Sequence, residues 1–92
     1  MNFDWDPRKA TLNLGKHGVS FTEAASAFGD SLSITIPDPD HSDQENRFLL
    51  VGRTVAGRLV VVTHVERGRT IRIISARLAS RRERRSYEED QD

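Results

Sequence analysis

The chain of 92 residues contains no cysteine, which excludes a disulfide framework and a thiolate zinc site, and its length predicts one domain over residues 1–92. Fourteen basic and fourteen acidic side chains cancel, and this balance argues against an abundant, general nucleic-acid-binding protein. No apolar run is long enough for a signal peptide or a membrane-spanning helix, so we expect a soluble, cytoplasmic protein.

The N-terminal segment predicts a short strand and a helix. Aromatic residues alternate with aspartates over residues 3–6, the pattern of a half-buried strand. Asp6 followed by Pro7 is a helix-start signal, because the carboxylate can cap the first turn and proline suits its first position. We therefore expect a first helix from Pro7 to about Lys16, ending at Gly18.

A second helix and a strand follow before the one long polar loop. Ser20 and Glu23 form a capping-box pattern, so the second helix starts there and ends at Gly29. Apolar and polar residues alternate over residues 31–36, which predicts a strand. The loop spans residues 37–46 and is rich in proline and aspartate.

Three further strands and a last helix complete the pattern. Strands are expected over Arg47 to Thr54 and Arg58 to Glu66, joined by a turn in which Gly57 supplies the positive φ. Another strand runs from Thr70 to Arg77, and a capping box at residues 80–83 opens a C-terminal helix. Tight turns between consecutive strands favour an antiparallel sheet of about four strands. With the short N-terminal strand, two N-terminal helices and one C-terminal helix, this is an α+β domain.

Charge is segregated along the chain. Residues 1–46 carry three basic and eight acidic side chains, residues 47–85 carry eleven arginines and two glutamates, and residues 86–92 carry four carboxylates. Twelve of the fourteen basic residues are arginine, whose planar guanidinium binds phosphate through two parallel hydrogen bonds. The arginines between Arg67 and Arg82 therefore predict a preorganised phosphate site on and beside a strand.

Four polar side chains occupy strand positions where an aliphatic residue is the default: His64, Glu66, Arg72 and Arg77. Regular alternation places Arg77 on the same face as Ile73 and Arg72 on the other. A charged side chain in a half-buried position needs an ion-pair partner or has a functional role. Arg72 is as readily an ion-pair partner of Glu66 as an RNA-binding or catalytic group. His64 is more often a satisfied strand histidine than a base.

Three further features have ordinary explanations beside functional ones. His17 follows Lys16 near a helix C-terminus, where a cation serves the helix dipole as readily as it serves chemistry. His41 lies among aspartates in the polar loop, without a recognised metal-ligand spacing, so no metal is predicted. Arg81 and Arg82 begin a basic helix that is either a solvated face or a nucleic-acid contact.

Over residues 3 to 88 the chain resembles the BrnT toxin family. The resemblance rests on several motifs in order and at the expected spacing, although any one of them alone is weak. These motifs are Phe3-Asp4-Trp5-Asp6-Pro7-Arg8-Lys9, Asn13 to Phe21, Asp38-Pro39-Asp40-His41-Ser42, Glu45-Asn46-Arg47-Phe48, Gly57 to Val62, His64-Val65-Glu66-Arg67, Ile71 to Arg77, Glu83, and Tyr87-Glu88.

The resemblance implies a RelE-like fold and a type II toxin that cleaves RNA and inhibits translation. It also implies a partner, a BrnA-like antitoxin with a ribbon-helix-helix domain, in a hetero-oligomer that covers the toxin. DNA would be contacted only through the antitoxin, because this chain carries no DNA-binding motif of its own. No cofactor is implied.

For such a toxin we expect a metal-independent endoribonuclease, in which a ribose 2′-hydroxyl attacks the adjacent phosphate and leaves a 2′,3′-cyclic phosphate. This reaction needs a base, an acid and cations for the developing phosphorane charge. The catalytic candidates are Arg67, Arg72 and Arg77 for charge stabilisation, His64 or Glu66 as base, and Tyr87, or His17 with Lys16, as acid. The RNA-binding candidates are Lys16, His17, Arg81 and Arg82.

Two alternatives from other classes stay open on the sequence. A non-catalytic RNA-binding module would use the same arginines for phosphate contacts and would bind RNA in a salt-dependent way without cleaving it. An interaction protein would dock an acidic partner on its arginine-rich face. A cleavage assay distinguishes the RNA-binding module from a ribonuclease. The interaction protein is distinguished by arginine substitutions that affect complex formation and not toxicity.

Overall fold

Five strands and three helices are formed within residues 1–41, 43 and 46–90, which the computed structural model describes. Short 3-10 turns follow the second helix and the second strand. The α+β class is confirmed, and the predicted loop residues Ser42, Gln44 and Glu45 lie outside the described residues. The elements are β1 (Asn2–Asp4), α1 (Pro7–His17), α2 (Phe21–Ser26), β2 (Ile34–Pro37), β3 (Arg47–Arg53), β4 (Leu59–Arg67), β5 (Thr70–Leu78) and α3 (Arg81–Glu89).

The strands form one sheet in the order β1-β5-β4-β3-β2. β2 to β5 pair antiparallel with their chain neighbours, as predicted from the tight turns, and the turn residue Gly57 has a φ of 81°. β1 pairs with β5 and is parallel to it, which the sequence did not predict. No hairpin constrains this pair, because helices and three strands separate β1 from β5 along the chain.

Helix α1 begins and ends as its sequence signals predict. The Asp6 carboxylate accepts a hydrogen bond from the Arg8 N–H at 2.8 Å, and Pro7 occupies the first helical position. Gly18 ends the helix with a φ of 69°, the left-handed conformation that favours glycine. The chain then turns directly into α2.

The predicted capping box of α2 is only half formed. Ser20 Oγ accepts a hydrogen bond from the Glu23 N–H at 3.0 Å, but the Glu23 carboxylate does not return to the cap. Instead it accepts from Arg58 Nε at 2.9 Å and from Thr54 Oγ1 at 2.8 Å. The Arg58 guanidinium lowers the pKa of Glu23. Glu23 therefore joins α2 to the turn between β3 and β4.

The core lies between one face of the sheet and the segment that contains α2. This face is called the helix-covered face. Phe21 is 2% exposed, and Trp5 lies edge-on to it with ring centroids 5.9 Å apart. The buried core residues are Val19, Phe21, Ala24, Ala27, Leu50, Val60, Val62, Ile71, Ile73 and Ala76.

Helix α3 is held by its cap and by one buried side chain. The capping box predicted at residues 80–83 is complete, because Ser80 Oγ accepts from the Glu83 N–H and the Glu83 carboxylate accepts from the Ser80 N–H. Tyr87 is the residue of this helix that is buried, and the helix packs near β3.

Candidate functional site

A β-bulge in β5 changes which way its side chains point. β4 pairs Thr63 with Ser75 but its next residue, His64, with Ile73, so Ile74 has no cross-strand partner. One extra residue reverses the alternation of the bulged strand. Residues of β5 on the two sides of Ile74 therefore do not follow a simple two-residue period.

The bulge places Arg72, Ser75 and Arg77 on one face of the sheet, called the arginine face. Facing residues of an antiparallel pair share a face, and these three lie opposite alternate residues of β4, namely Val65, Thr63 and Val61. The prediction that Arg77 shares a face with Ile73 was wrong, because regular alternation does not allow for the bulge.

Helix α1 lies along β5 at the edge of the arginine face. A shallow cavity of about 210 Å³ lies between the two elements, and its lining includes Lys9, Asn13, Lys16, His17 and Ser75. The structure thus brings two predicted RNA-binding residues, Lys16 and His17, next to the bulge. Sequence reasoning could not establish this proximity, since it depends on how the helix packs.

Arg72 is held by Asp4. The Nη1 atom of Arg72 lies 3.3 Å from Oδ1 of Asp4, and the arginine side chain is 38% exposed. The parallel pairing of β1 with β5 sets Asp4 beside Arg72, so the ion pair follows from the topology. The alternative in which Arg72 pairs with Glu66 was wrong, because Glu66 points to the helix-covered face.

Arg77 is held by Glu83 of α3 in a bidentate pair. Its Nη1 and Nη2 atoms donate to the two carboxylate oxygens at 2.7 and 2.8 Å. The pKa of Glu83 is lowered to about 2, first by the Arg77 hydrogen bonds, and the pair also raises the pKa of Arg77. A bidentate pair fixes the plane of the guanidinium as well as its position.

The Glu83–Arg77 pair should make the free energy of unfolding depend on pH in the acidic range. The folded pKa of Glu83 lies below its ordinary value of 4.5, so its stabilisation is present above about pH 4.5 and is lost as the pH falls towards about 2. Glu83→Gln should flatten the pH dependence of the unfolding free energy in this window, measured by urea denaturation. Glu88→Gln on the exposed side of the same helix is the control. An unchanged slope in Glu83→Gln would contradict this coupling.

His64 is fully buried on the helix-covered face. Its ring lies 4.8 Å from the ring of Phe28 and 5.9 Å from that of Phe48. Its Nδ1 atom lies 3.3 Å from the carbonyl oxygen of Val62, and Nε2 lies 3.1 Å from Oε2 of Glu66. Both ring nitrogens therefore face acceptors within the chain.

The sheet separates His64 and Glu66 from Arg72. The prediction that either residue acts as a base together with the strand arginines does not fit this arrangement, since one phosphate cannot touch both faces. The Glu66 side chain remains 44% exposed and borders a separate, open cavity of about 620 Å³ that Phe28 and Arg69 also line.

Tyr87 is buried at 3% exposure, and its hydroxyl is already engaged. It donates a hydrogen bond to Oδ2 of Asp30 at 2.7 Å, while the Arg53 guanidinium lies 5.6 Å from the ring centroid. Burial, then this hydrogen bond, raises the pKa of Tyr87. These contacts indicate that Tyr87 anchors α3 to the sheet, and they disfavour its predicted role as an acid.

The other predicted arginines are exposed. Arg67 ends β4 and belongs to the arginine face, because it lies two residues beyond Val65 and pairs with Thr70. Arg81 and Arg82 lie in the first turn of α3. Within the described part of the chain, none of these three guanidinium groups forms an ion pair, so all are available to an anionic ligand.

Two residues of the site were not predicted. Ser75 joins it through the bulge, and Asn13 joins it through hydrogen bonds to the backbone of β5. Asn13 lies on a helix face, and nothing in the local pattern distinguishes it from a solvent-exposed polar residue. A central strand reading Arg-x-x-Ser-x-Arg, by contrast, is compatible with a bulge that aligns its polar positions.

The family model described as "Ribonuclease toxin, BrnT, of type II toxin-antitoxin system" matches residues 5–83. The chain belongs to the BrnT family. The match covers α1, the whole sheet after β1 and the capping box of α3, and it confirms the resemblance that the motifs indicated. A BrnT toxin of a type II system acts with an antitoxin, so such a partner is part of the system to which this chain belongs.

A solved relative supports the BrnT fold. The chain is similar to the ribonuclease toxin BrnT of Brucella abortus, a crystal structure at 1.1 Å resolution, with a TM-score of 0.68 and 23% sequence identity. The likeness covers 88% of this chain and 99% of that one. At this identity it bears on the fold alone. No curated protein matches the chain. Among the described residues, no helix has the length and apolar character to cross a membrane.

Proposed function

We propose that this BrnT family member is a metal-independent endoribonuclease that inhibits translation by cleaving RNA in the cytoplasm. The 2′-hydroxyl of a ribose loses its proton to a base and attacks the adjacent phosphorus. The bond to the 5′-oxygen breaks, and that oxygen takes a proton from an acid. The products are a 2′,3′-cyclic phosphate and a 5′-hydroxyl.

The observation that carries the proposal is the alignment of Arg72, Ser75 and Arg77 on one face beside the cations of α1. The transition state places extra negative charge on the phosphate oxygens, and fixed donors stabilise that charge more than mobile ones do. Glu83 fixes Arg77 in advance through two hydrogen bonds, and Asp4 forms an ion pair with Arg72. We assign charge stabilisation to these arginines, supported by Arg67 at the end of the same face.

The acid that protonates the leaving 5′-oxygen is assigned to His17, the alternative to Tyr87. Its side chain lines the cavity that reaches Ser75, and Lys16 lies in the same wall. An imidazole can donate a proton to a leaving oxygen. Lys16, together with Arg81 and Arg82 on α3, would hold the RNA backbone on either side of the scissile phosphate.

The antitoxin is proposed to be BrnA-like, with a ribbon-helix-helix domain that supplies any contact to DNA. Its binding would cover the arginine face, because a protein that neutralises a ribonuclease must exclude RNA from the charged site. Exposed guanidinium groups such as those of Arg67 and Arg81 suit carboxylates of such a partner. The toxin would then exist as a hetero-oligomer until the antitoxin is removed.

The test is the cleavage of end-labelled RNA by antitoxin-free protein in excess EDTA, with the ends of the products identified. Cleavage that leaves cyclic-phosphate ends is the expected result. A strict requirement for added metal would contradict metal independence. Salt-dependent binding without cleavage, both of free RNA and in the presence of translating ribosomes, would instead favour a non-catalytic RNA-binding module.

A further inference from the structure

We infer that Asn13 is a positioning residue of the proposed ribonuclease site, and this inference rests on the proposed function. Asn13 is 7% exposed and lies on the inner side of α1. Its Nδ2 group donates to the Ala76 carbonyl at 2.8 Å and to the Val19 carbonyl at 3.0 Å. Its Oδ1 atom accepts from the Ala76 N–H at 3.1 Å. Every hydrogen-bonding atom of the amide is thus engaged.

The Asn13 amide takes the place of a missing strand. β1 pairs with β5 from Thr70 to Arg72, and among the described residues no strand pairs with the rest of that edge of β5. At Ala76 the side-chain amide offers one donor and one acceptor to the backbone, as a neighbouring strand would. It does so two residues after the bulged Ile74, where the ladder with β4 is interrupted.

Ala76, the residue to which Asn13 is bonded, lies between the two site residues of β5 that follow the bulge. Ser75 precedes Ala76 and Arg77 follows it, so the orientation of the Ala76 peptide groups decides where both side chains point. A bulge leaves its extra residue unpaired and allows the strand to bend. The bonds from Asn13 fix the backbone directly after the bulge. They therefore limit the bending of β5 at the residues that place Ser75 and Arg77 on the arginine face.

Asn13 also fixes the helix side of the site. It belongs to α1 together with Lys16 and His17, and its bond to the Val19 carbonyl ties the end of that helix to the following turn. One buried side chain thus sets the distance between the cations of α1 and Arg77. The Asn13 amide is 7% exposed and already bonded to three backbone groups, so we assign its effect to these neighbouring groups rather than to contact with RNA.

Only an amide satisfies these three partners. Asn13→Ala leaves the Ala76 N–H and two carbonyls without their side-chain partner. Asn13→Asp is isosteric but sets carboxylate oxygen against the same two carbonyls. The matched control is Ser20→Ala, which removes the cap of α2. Its expected cost to stability is about 1 kcal/mol, and the Ser20 hydroxyl is bonded within its own helix, to the Glu23 N–H.

The experiment measures two quantities in the unmodified protein, Asn13→Ala, Asn13→Asp and Ser20→Ala. Hydrogen exchange by NMR should show the Ala76 amide exchanging roughly tenfold faster or more in both Asn13 variants and unchanged in Ser20→Ala. RNA cleavage at a temperature where all four are folded should show kcat reduced roughly 10- to 100-fold in the Asn13 variants. KM should stay within about threefold, since displaced groups cost more in the transition state than in binding.

The two readouts separate the possible failures. A kcat in Asn13→Ala equal to that of Ser20→Ala would overturn the positioning role, whatever happens to exchange. A protected Ala76 amide in Asn13→Ala would overturn its structural basis. If the unmodified protein cleaves neither free RNA nor RNA on translating ribosomes, the proposed function fails. The exchange measurement then decides separately whether Asn13 holds the strand.

Discussion

Replacing Arg72 with alanine should lower the rate of RNA cleavage roughly 10²- to 10³-fold, the usual cost of removing one preorganised donor from a charged transition state. The side chain is 38% exposed and forms an ion pair with the surface residue Asp4, so the variant should remain folded, with an unchanged circular dichroism spectrum. Arg72→Lys should recover only part of the rate, because lysine keeps the charge but loses the planar pair of donors.

Asp4→Asn is the matched control for Arg72. It breaks the same ion pair but leaves the guanidinium in place. If Arg72 stabilises phosphorane charge, Asp4→Asn should lose at most a small part of the activity through poorer positioning. Equal losses in Asp4→Asn and Arg72→Ala would show that the ion pair is the important feature, and that Arg72 has no direct role in the chemistry.

The second large effect is expected from Tyr87→Ala. Tyr87 is 3% exposed and is the buried residue of α3, so its truncation should cost about 3 kcal/mol or more of unfolding free energy. For a domain of this size, Tm should fall by roughly 10 to 20 °C. Cleavage should fall as well, since Glu83 on the same helix would no longer be held against Arg77. Thermal melts and cleavage at a low temperature measure the two consequences.

Tyr87→Phe separates anchoring from chemistry. It keeps the ring and removes only the hydroxyl that donates to Asp30. We expect a loss of about 1 kcal/mol in stability and nearly unchanged cleavage. A loss of cleavage as large as that of Arg72→Ala, in a protein that stays folded, would restore the original prediction that Tyr87 supplies a proton.

The element boundaries were largely readable from the sequence, because local signals determine them. Asp6 and Pro7 start α1, Gly18 ends it, and the box at residues 80–83 starts α3. These signals need only neighbouring residues.

The arrangement of the site was less predictable, because it depends on contacts between distant segments. The bulge at Ile74 shows up only in the pairing of two strands, and it reversed the predicted side for Arg77. The parallel pairing of β1 decided the partner of Arg72, for which Glu66 was one of the two interpretations that the sequence left open. Asn13 carried no local signal, since its partner lies 63 positions away.

The carboxylates paired with the strand arginines also change which ions compete with RNA for these guanidinium groups. A free guanidinium attracts solvent anions, and RNA that binds it competes only with those mobile ions. Arg72 and Arg77 instead carry a counter-ion built into the chain, in Asp4 and Glu83. An incoming phosphate must share or displace a tethered carboxylate. A polyanion without matching geometry therefore gains little binding free energy at these arginines. A ligand that matches the geometry of both arginines gains the most.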